Sequence, residues 1–157
     1  MERHINIRKM NDDDVEDAMA LLNRWNMAPR EATQDTPDPE RSTINVEHSF
    51  VALDGDTLVG MCSYIVHSDE LAETASLAVD PEYRGKGIGY KLQIARLNEM
   101  KHKGIRKVRT ETDRPETIQW YIAKFGYKVV GKNRKKHAFS LPDVDYWTVL
   151  ELDIESV

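Results

Sequence analysis

The sequence predicts a single mixed α/β domain over residues 1–157, on three observations. Strand-like runs alternate with amphipathic helical stretches, and a strand at 74–79 feeds a glycine-rich turn that opens a helix. The length, 157 residues, suffices for one sizeable core but not for two ordinary ones. Hydrophobic residues make up 40% and charged residues 31%, a composition that folds around a core rather than staying disordered.

His4–Met10, with Ile5 and Ile7 alternating, reads as the first strand. Asn11–Asp14 gathers capping residues and first-turn acids ahead of Val15, Ala18, Met19 and Leu22, which share one helical face. Residues 29–40 hold three of the six prolines and read as a loop, and a second helix is expected through Arg41–Glu47. Ser49–Leu53 and Thr57–Val66 read as strands joined at Asp54-Gly55-Asp56, which has hairpin-turn chemistry. Thr74–Val79 is the next strand, closed by Asp80-Pro81. The helix from Ile88 to about Lys103 is expected to stop at Gly104 as a C-cap, with Lys101, His102 and Lys103 suiting its negative end. Lys107–Thr112 follows as a strand. Asp113 and Glu116 are expected to form a capping box, with Pro115 in the first turn, for a helix through Phe125. Tyr127–Gly131 and Tyr146–Asp153 complete the strands.

The run Arg84-Gly85-Lys86-Gly87-Ile88-Gly89 is the most informative segment. A strand that enters a helix through such a turn aims several N–H groups at one point, where they lack intrahelical partners and the helix dipole is positive. Such a turn can hold phosphate, with Arg84 and Lys86 adding charge; the alternative is an ordinary connection rich in glycine. Neither familiar nucleotide loop fits. A dinucleotide fingerprint starting at Gly85 would need its last glycine at Tyr90, and a P-loop would need Ser or Thr where Leu92 follows Lys91.

The spacing that does fit is Arg-x-x-Gly-x-Gly, filled by Arg84, Gly87 and Gly89. It resembles the pyrophosphate-binding motif of the GNAT superfamily of acyl-CoA-dependent N-acetyltransferases. The strand ending Leu77-Ala78-Val79-Asp80-Pro81 is similar to the family's fourth strand. Trp120-Tyr121-Ile122-Ala123-Lys124-Phe125-Gly126-Tyr127 resembles its second motif, a helix running into a Gly-aromatic turn. The resemblance covers about Glu73 to Val130 and fades before residue 50. It implies a central mixed, largely antiparallel sheet, splayed between its fourth and fifth strands (Thr74–Val79 and Lys107–Thr112) and flanked by helices. It implies acetyl-CoA as co-substrate, gripped through Arg84, Gly85, Lys86, Gly87, Ile88 and Gly89. The backbone of Leu77, Ala78 and Val79 would hold the pantetheine arm and polarise the thioester. It also implies an amine acceptor, on a small molecule or a peptide, bound by the divergent early region, and a homodimer.

Direct acetyl transfer requires a base to free the amine and a proton for the leaving thiolate. Glu73, six residues before Val79 and eleven before Arg84, matches the register of the catalytic glutamate in the histone acetyltransferase branch. With Ala75 and Leu77 expected on its face it would be a partly buried base; otherwise it is an exposed acid at a strand's start. Glu111 is the weaker candidate. The family's usual tyrosine position holds Ile122, and Tyr121 stands one place earlier. One helical step turns a side chain by about 100°, so Tyr121 reaches the sulfur only through a rotated or bulged helix, or else it packs on the sheet with Trp120 and Phe125. The usual asparagine at the start of that helix is missing, with Asp113-Arg114-Pro115 in its region. These departures keep open a second function: a non-catalytic acyl-CoA-binding regulatory module.

The remaining composition narrows the setting. A formal charge of −5 argues against general nucleic-acid binding. Lys132–His137 forms a local basic run that reads as a solvated loop, with CoA 3′-phosphate contact as the alternative. The five histidines show no metal-ligand spacing, so no metal site is expected. No run reaches membrane-span length and the N-terminus shows no signal-peptide stretch, which with a single cysteine gives a cytoplasmic expectation. Cys62, without a paired histidine, reads as a buried strand residue. Trp25 and Met27 read as core or acceptor-pocket residues, and Tyr146 and Trp147 as strand-edge or dimer contacts.

Overall fold

The computed structural model describes residues 4–24, 44–134 and 144–154. Trp25, Met27, the loop at 29–40, Arg41–Thr43 and Lys135–His137 lie outside them.

The strands are β1 (Ile5–Lys9), β2 (Ser49–Asp54), β3 (Thr57–Val66), β4 (Leu71–Val79), β5 (Lys107–Thr112), β6 (Lys128–Arg134) and β7 (Tyr146–Asp153). The helices are α1 (Val15–Arg24), α2 (Ile88–His102) and α3 (Pro115–Phe125). One seven-stranded sheet runs in the order β1-β2-β3-β4-β5-β7-β6. Every neighbouring pair is antiparallel except β4 with β5.

Local sequence explains most boundaries. Asn11–Asp14 cap as expected, and they do so as a capping box on the 3-10 turn Asp12–Asp14 that leads into α1: the Asn11 side chain accepts from the Asp13 N–H, and the Asp14 carboxylate reaches back to the Asn11 N–H at 2.9 Å. Gly55 turns the β2–β3 hairpin at φ +61°. Three expectations need correction. The described part of the helix expected at Arg41–Glu47 is a single 3-10 turn, Val46–His48, capped by Asn45. The capping box at α3 does not form: Arg114 is its N-cap, with no side-chain cap, and Asp113 is buried instead. Lys132–Arg134 belongs to β6 rather than to a loop, because these residues pair with Tyr146, Trp147 and Thr148 of β7.

Helices cover both sheet faces. Beneath α1, Ala18, Leu21 and Leu22 pack with Val51, Leu53, Met61 and Ala78. On the opposite face Ile88 and Leu92 of α2 pack with Phe50, Ala52, Val59 and Cys62. Tyr121 and Phe125 of α3 share a third cluster with Leu97, Met100, Val108, Leu150 and Leu152. Gly60 sets how closely α2 sits on the sheet. A Cβ there would lie 3.1 Å from Leu92 Cδ1, 3.2 Å from Ile88 Cγ2 and 3.3 Å from Ala52 Cβ. Gly60→Val is therefore expected to destabilise the protein by about 1–3 kcal/mol through overpacking, read as a lower urea midpoint.

Candidate active site

Two features of the sheet meet at the end of β4: a glycine turn and a fork between strands. Val79 leaves the sheet beside Gly60, and Asp80 caps a 3-10 turn at Pro81–Tyr83 by accepting from the Glu82 N–H at 3.0 Å. That bond, with the Arg24 guanidinium at 3.1 Å, holds the Asp80 carboxyl below its usual range. The Tyr83 hydroxyl donates to Asp54 at 2.6 Å, tying the entry of the turn to the β2–β3 hairpin. Gly85 and Gly87 both adopt φ +80°, a conformation that costs other residues strain. Gly87 is the N-cap of α2 and offers no side chain to its first-turn N–H groups. Arg84–Gly87 are exposed while Ile88 is buried, so the anchored helix presents its positive end at the surface. A Cβ on Gly89 would lie 3.9 Å from both Val79 and Trp120, which places the turn over the end of β4 and beside α3.

The fork begins four residues into β4. Among the described residues β4 pairs with β5 over Leu71–Thr74 opposite Lys107–Thr110, and beyond that β5 continues on β7. Hydroxyls clasp the point of separation: Thr110 donates to the Thr74 carbonyl at 3.3 Å, and Thr74 to the Arg109 carbonyl at 3.4 Å. The register with β3 shifts at the same place, with Ser63 opposite Ser76 but Tyr64 opposite Thr74, so Ala75 is the extra residue of a bulge.

A wholly buried arginine fills the bulge. Arg96 of α2 is 0% exposed. Its Nη1 donates to the Ser63 carbonyl at 3.0 Å and the Ser76 carbonyl at 2.7 Å, the two residues that flank the shift. Its Nε donates to Gln93 at 2.6 Å and its Nη2 to the Tyr121 hydroxyl at 2.9 Å, while Gln93 donates to the Tyr127 hydroxyl at 2.8 Å. Burial works against the Arg96 guanidinium, yet it stays above its ordinary range, and the charge is solvated by two carbonyls, Gln93 and the Tyr121 hydroxyl. One side chain thus ties α2, α3 and the departing half of β4 together.

The bulge corrects the expected face of Glu73. One extra residue reverses the alternation, so Glu73 (opposite Ile65) shares its side with Ser76 and Ala78, while Leu77 and Val79 point to α2. Glu73 is only 4% exposed, and its Oε1 lies 2.9 Å from His67 Nε2. Glu111, farther along β5, accepts from Asn133 at 2.7 Å. Tyr121 is 3% exposed in a regular α3, edge-on to Trp120 and bonded to Arg96, so its hydroxyl sits at the base of the fork. Ile122, in the family's tyrosine position, packs half-buried on the core. Cys62 is inert: burial pushes its thiol up to about 11, and it contacts the Leu92 carbonyl.

The sequence reading missed Arg96 and His67. Leu92, Arg96 and Met100 recur at four-residue spacing, so a charge on the apolar face of α2 was the available signal. His67 falls diagonally across a tight β3–β4 hairpin from Glu73, a relation visible only once the hairpin register is known.

A sheet forked beside the fourth strand, with a glycine turn opening a helix at the mouth of the fork, is the architecture of acyl-CoA-dependent acetyltransferases. The description "Acetyltransferase (GNAT) family" matches residues 16–127. The chain belongs to that family. N-alpha-acetyltransferase 30 of Schizosaccharomyces pombe is 40% identical over 81 residues, which is 48% of this chain and 54% of that protein. The chain thus spans about half the length of this curated relative. Among solved structures, the ribosomal-protein-S18-alanine N-acetyltransferase from Escherichia coli superposes with a TM-score of 0.72 at 16% identity, over 96% of this chain and 94% of that one. N-acetylglutamate synthase from Neisseria gonorrhoeae, complexed with coenzyme A and N-acetyl-glutamate, superposes at 0.69 and 16% identity over 98% of this chain and 36% of that one. These structures share the fold. Among the described residues no helix is long and apolar enough to cross a membrane.

Proposed function

We propose that the chain moves an acetyl group from acetyl-CoA directly to a primary amine, and that the amine is the N-terminus of a peptide or protein. The observation that carries the reading is the fork beside the uncapped N-terminus of α2, which offers one path from a phosphate grip to an opened strand edge. Arg84–Gly89 would hold the pyrophosphate, and the backbone of Leu77, Ala78 and Val79 would orient the pantetheine arm and polarise the thioester. A preorganised backbone donor contributes about 3 kcal/mol to an oxyanion-like transition state. Glu73 would accept the proton from the amine, and Tyr121, at the base of the fork, would donate one to the departing thiolate. The peptide acceptor is favoured over a small molecule by likeness to a relative named for N-alpha acetylation. The lone buried Cys62 fits a cytoplasmic setting.

Thiol release from acetyl-CoA, followed with lysine-free peptides bearing free or blocked N-termini and with a polyamine, tests the reading. Turnover is expected with the free N-termini alone. Glu73→Gln is expected to lower kcat about 100-fold while leaving acetyl-CoA affinity intact; an unchanged rate would remove Glu73 from the reaction. One observation favours a second reading, an acyl-CoA-binding regulatory module: the Tyr121 hydroxyl is already engaged by Arg96. Tight CoA binding with no turnover on any amine would select it.

A further inference from the structure

We propose that His67 is the proton exit of the site, relaying to solvent the proton that Glu73 takes from the amine. The inference rests on the reading of Glu73 as the base, and it starts from a mismatch of exposure. The Glu73 side chain is 5% exposed, whereas the His67 ring, bonded to it at 2.9 Å, is 36% exposed. A buried carboxylate that has taken a proton must lose it before the next turnover, and a half-exposed imidazole in contact with it is a route to water. Imidazole suits the step because one ring nitrogen can accept as the other releases. In each turnover the acceptor ammonium gives up two protons. The first passes through Glu73 to His67 Nε2 as the Nδ1 proton leaves to water. The second, released as the tetrahedral intermediate collapses, replaces the one Tyr121 gives the thiolate. Exchange with water then returns His67 to its Nδ1–H tautomer, and no electrons move.

The hairpin holds the ring in place. The His67 and Ser68 N–H groups both donate to the Leu71 carbonyl, at 2.9 and 3.1 Å. The Ser68 hydroxyl accepts from the N–H groups of Glu70 and Leu71. With Ile65 opposite Glu73 on this face, His67 projects beside the carboxylate from the diagonal position. The other charged groups around the pair are Asp69 and Glu70 on the turn, Arg106 beside Glu70, and Arg109 and Glu151 from β5 and β7. Arg109 bonds Glu151 at 2.8 Å, and Arg106 Nε lies 3.8 Å from Glu70.

The test compares His67→Ala, His67→Gln and Glu73→Gln, using a lysine-free peptide with a free alanyl N-terminus as acceptor, with and without added imidazole. Both His67 variants are expected to lose about tenfold in kcat at unchanged acetyl-CoA affinity. Imidazole should restore rate to His67→Ala, which leaves room for it, and not to Glu73→Gln. A wild-type kcat for His67→Ala, or a loss that imidazole leaves untouched, overturns the relay. Full activity in Glu73→Gln instead sinks the base reading beneath it, whatever the His67 variants do. A readout independent of turnover is the 15N shift of His67 Nε2, which should move in Glu73→Gln as its 2.9 Å bond to the carboxylate is lost; an unmoved shift also overturns the proposal.

Discussion

Gly87→Glu is expected to abolish acetyl-CoA binding while leaving the fold in place. Gly87 caps α2 at φ +80°, where a side chain is strained, and nothing lies within 4 Å of the Cβ it would gain. The fold should therefore tolerate the change at a cost of about 1–2 kcal/mol. The ligand should not tolerate it. On the proposed reading, a carboxylate at the positive end of α2 would occupy the place of the pyrophosphate and repel it. A unit charge about 4 Å away at an effective dielectric of 20 is worth about 4 kcal/mol, so affinity should fall at least about 100-fold. Calorimetric titration with acetyl-CoA, with desulfo-CoA beside it, reads the result. Gly87→Ala separates strain from charge and should bind with only a modest loss. Unaltered binding by Gly87→Glu would take the turn out of the site altogether.

Arg96→Met is expected to produce the largest loss of stability of any single change described here. It retains most of the volume but strips donors from the Ser63 and Ser76 carbonyls of the sheet and from Gln93 and the Tyr121 hydroxyl of the helices packed on it. Leaving buried acceptors such as these without a donor costs about 1–3 kcal/mol for each, so several lost together should lower Tm by roughly 10 °C for a chain of this size. Arg96→Lys should recover only part of this, since an ammonium keeps the charge but not the planar fork that reaches three directions. Tyr121→Phe removes one acceptor and should cost less, about 1–3 kcal/mol. Because Arg96 and Tyr121 bond each other, the double variant should lose less than the sum of the two. Additive losses would mean that the bond between them contributes nothing. If the network also shapes the fork, Arg96→Lys should weaken acetyl-CoA binding, whereas a destabilising change remote from the fork, such as Leu22→Ala under α1, should not.

Much of this was legible in the chain. The strands Thr57–Val66, Lys107–Thr112 and Tyr146–Asp153 stand where alternation places them, and Arg84–Gly89 names its own geometry through glycines that the observed φ values require. β4 begins at Leu71, earlier than expected, because Ala72 and Glu73 pair with β3 on one side and Leu71–Thr74 with the parallel β5 on the other, the second contact distant in sequence. The same limit explains Lys132–Arg134. A run of basic residues reads as solvated loop, yet pairing with β7 holds it as an edge strand whose side chains remain exposed.

The candidate site divides along the same line. Local chemistry determined the glycine turn, the helix it opens and an acid in the strand that leads into them, since each depends on neighbours a few residues away. The tertiary structure alone decided which way that acid faces, because a single bulged residue at Ala75 reverses the alternation of the strand. It also decided that Tyr121 meets Arg96 and that Glu73 meets His67, pairs separated by 25 and 6 residues. Spacing carries information about a helix turn or a strand face, where geometry repeats. It carries none about a guanidinium that fills the gap between two strands and two helices, because that gap exists only after all four have packed.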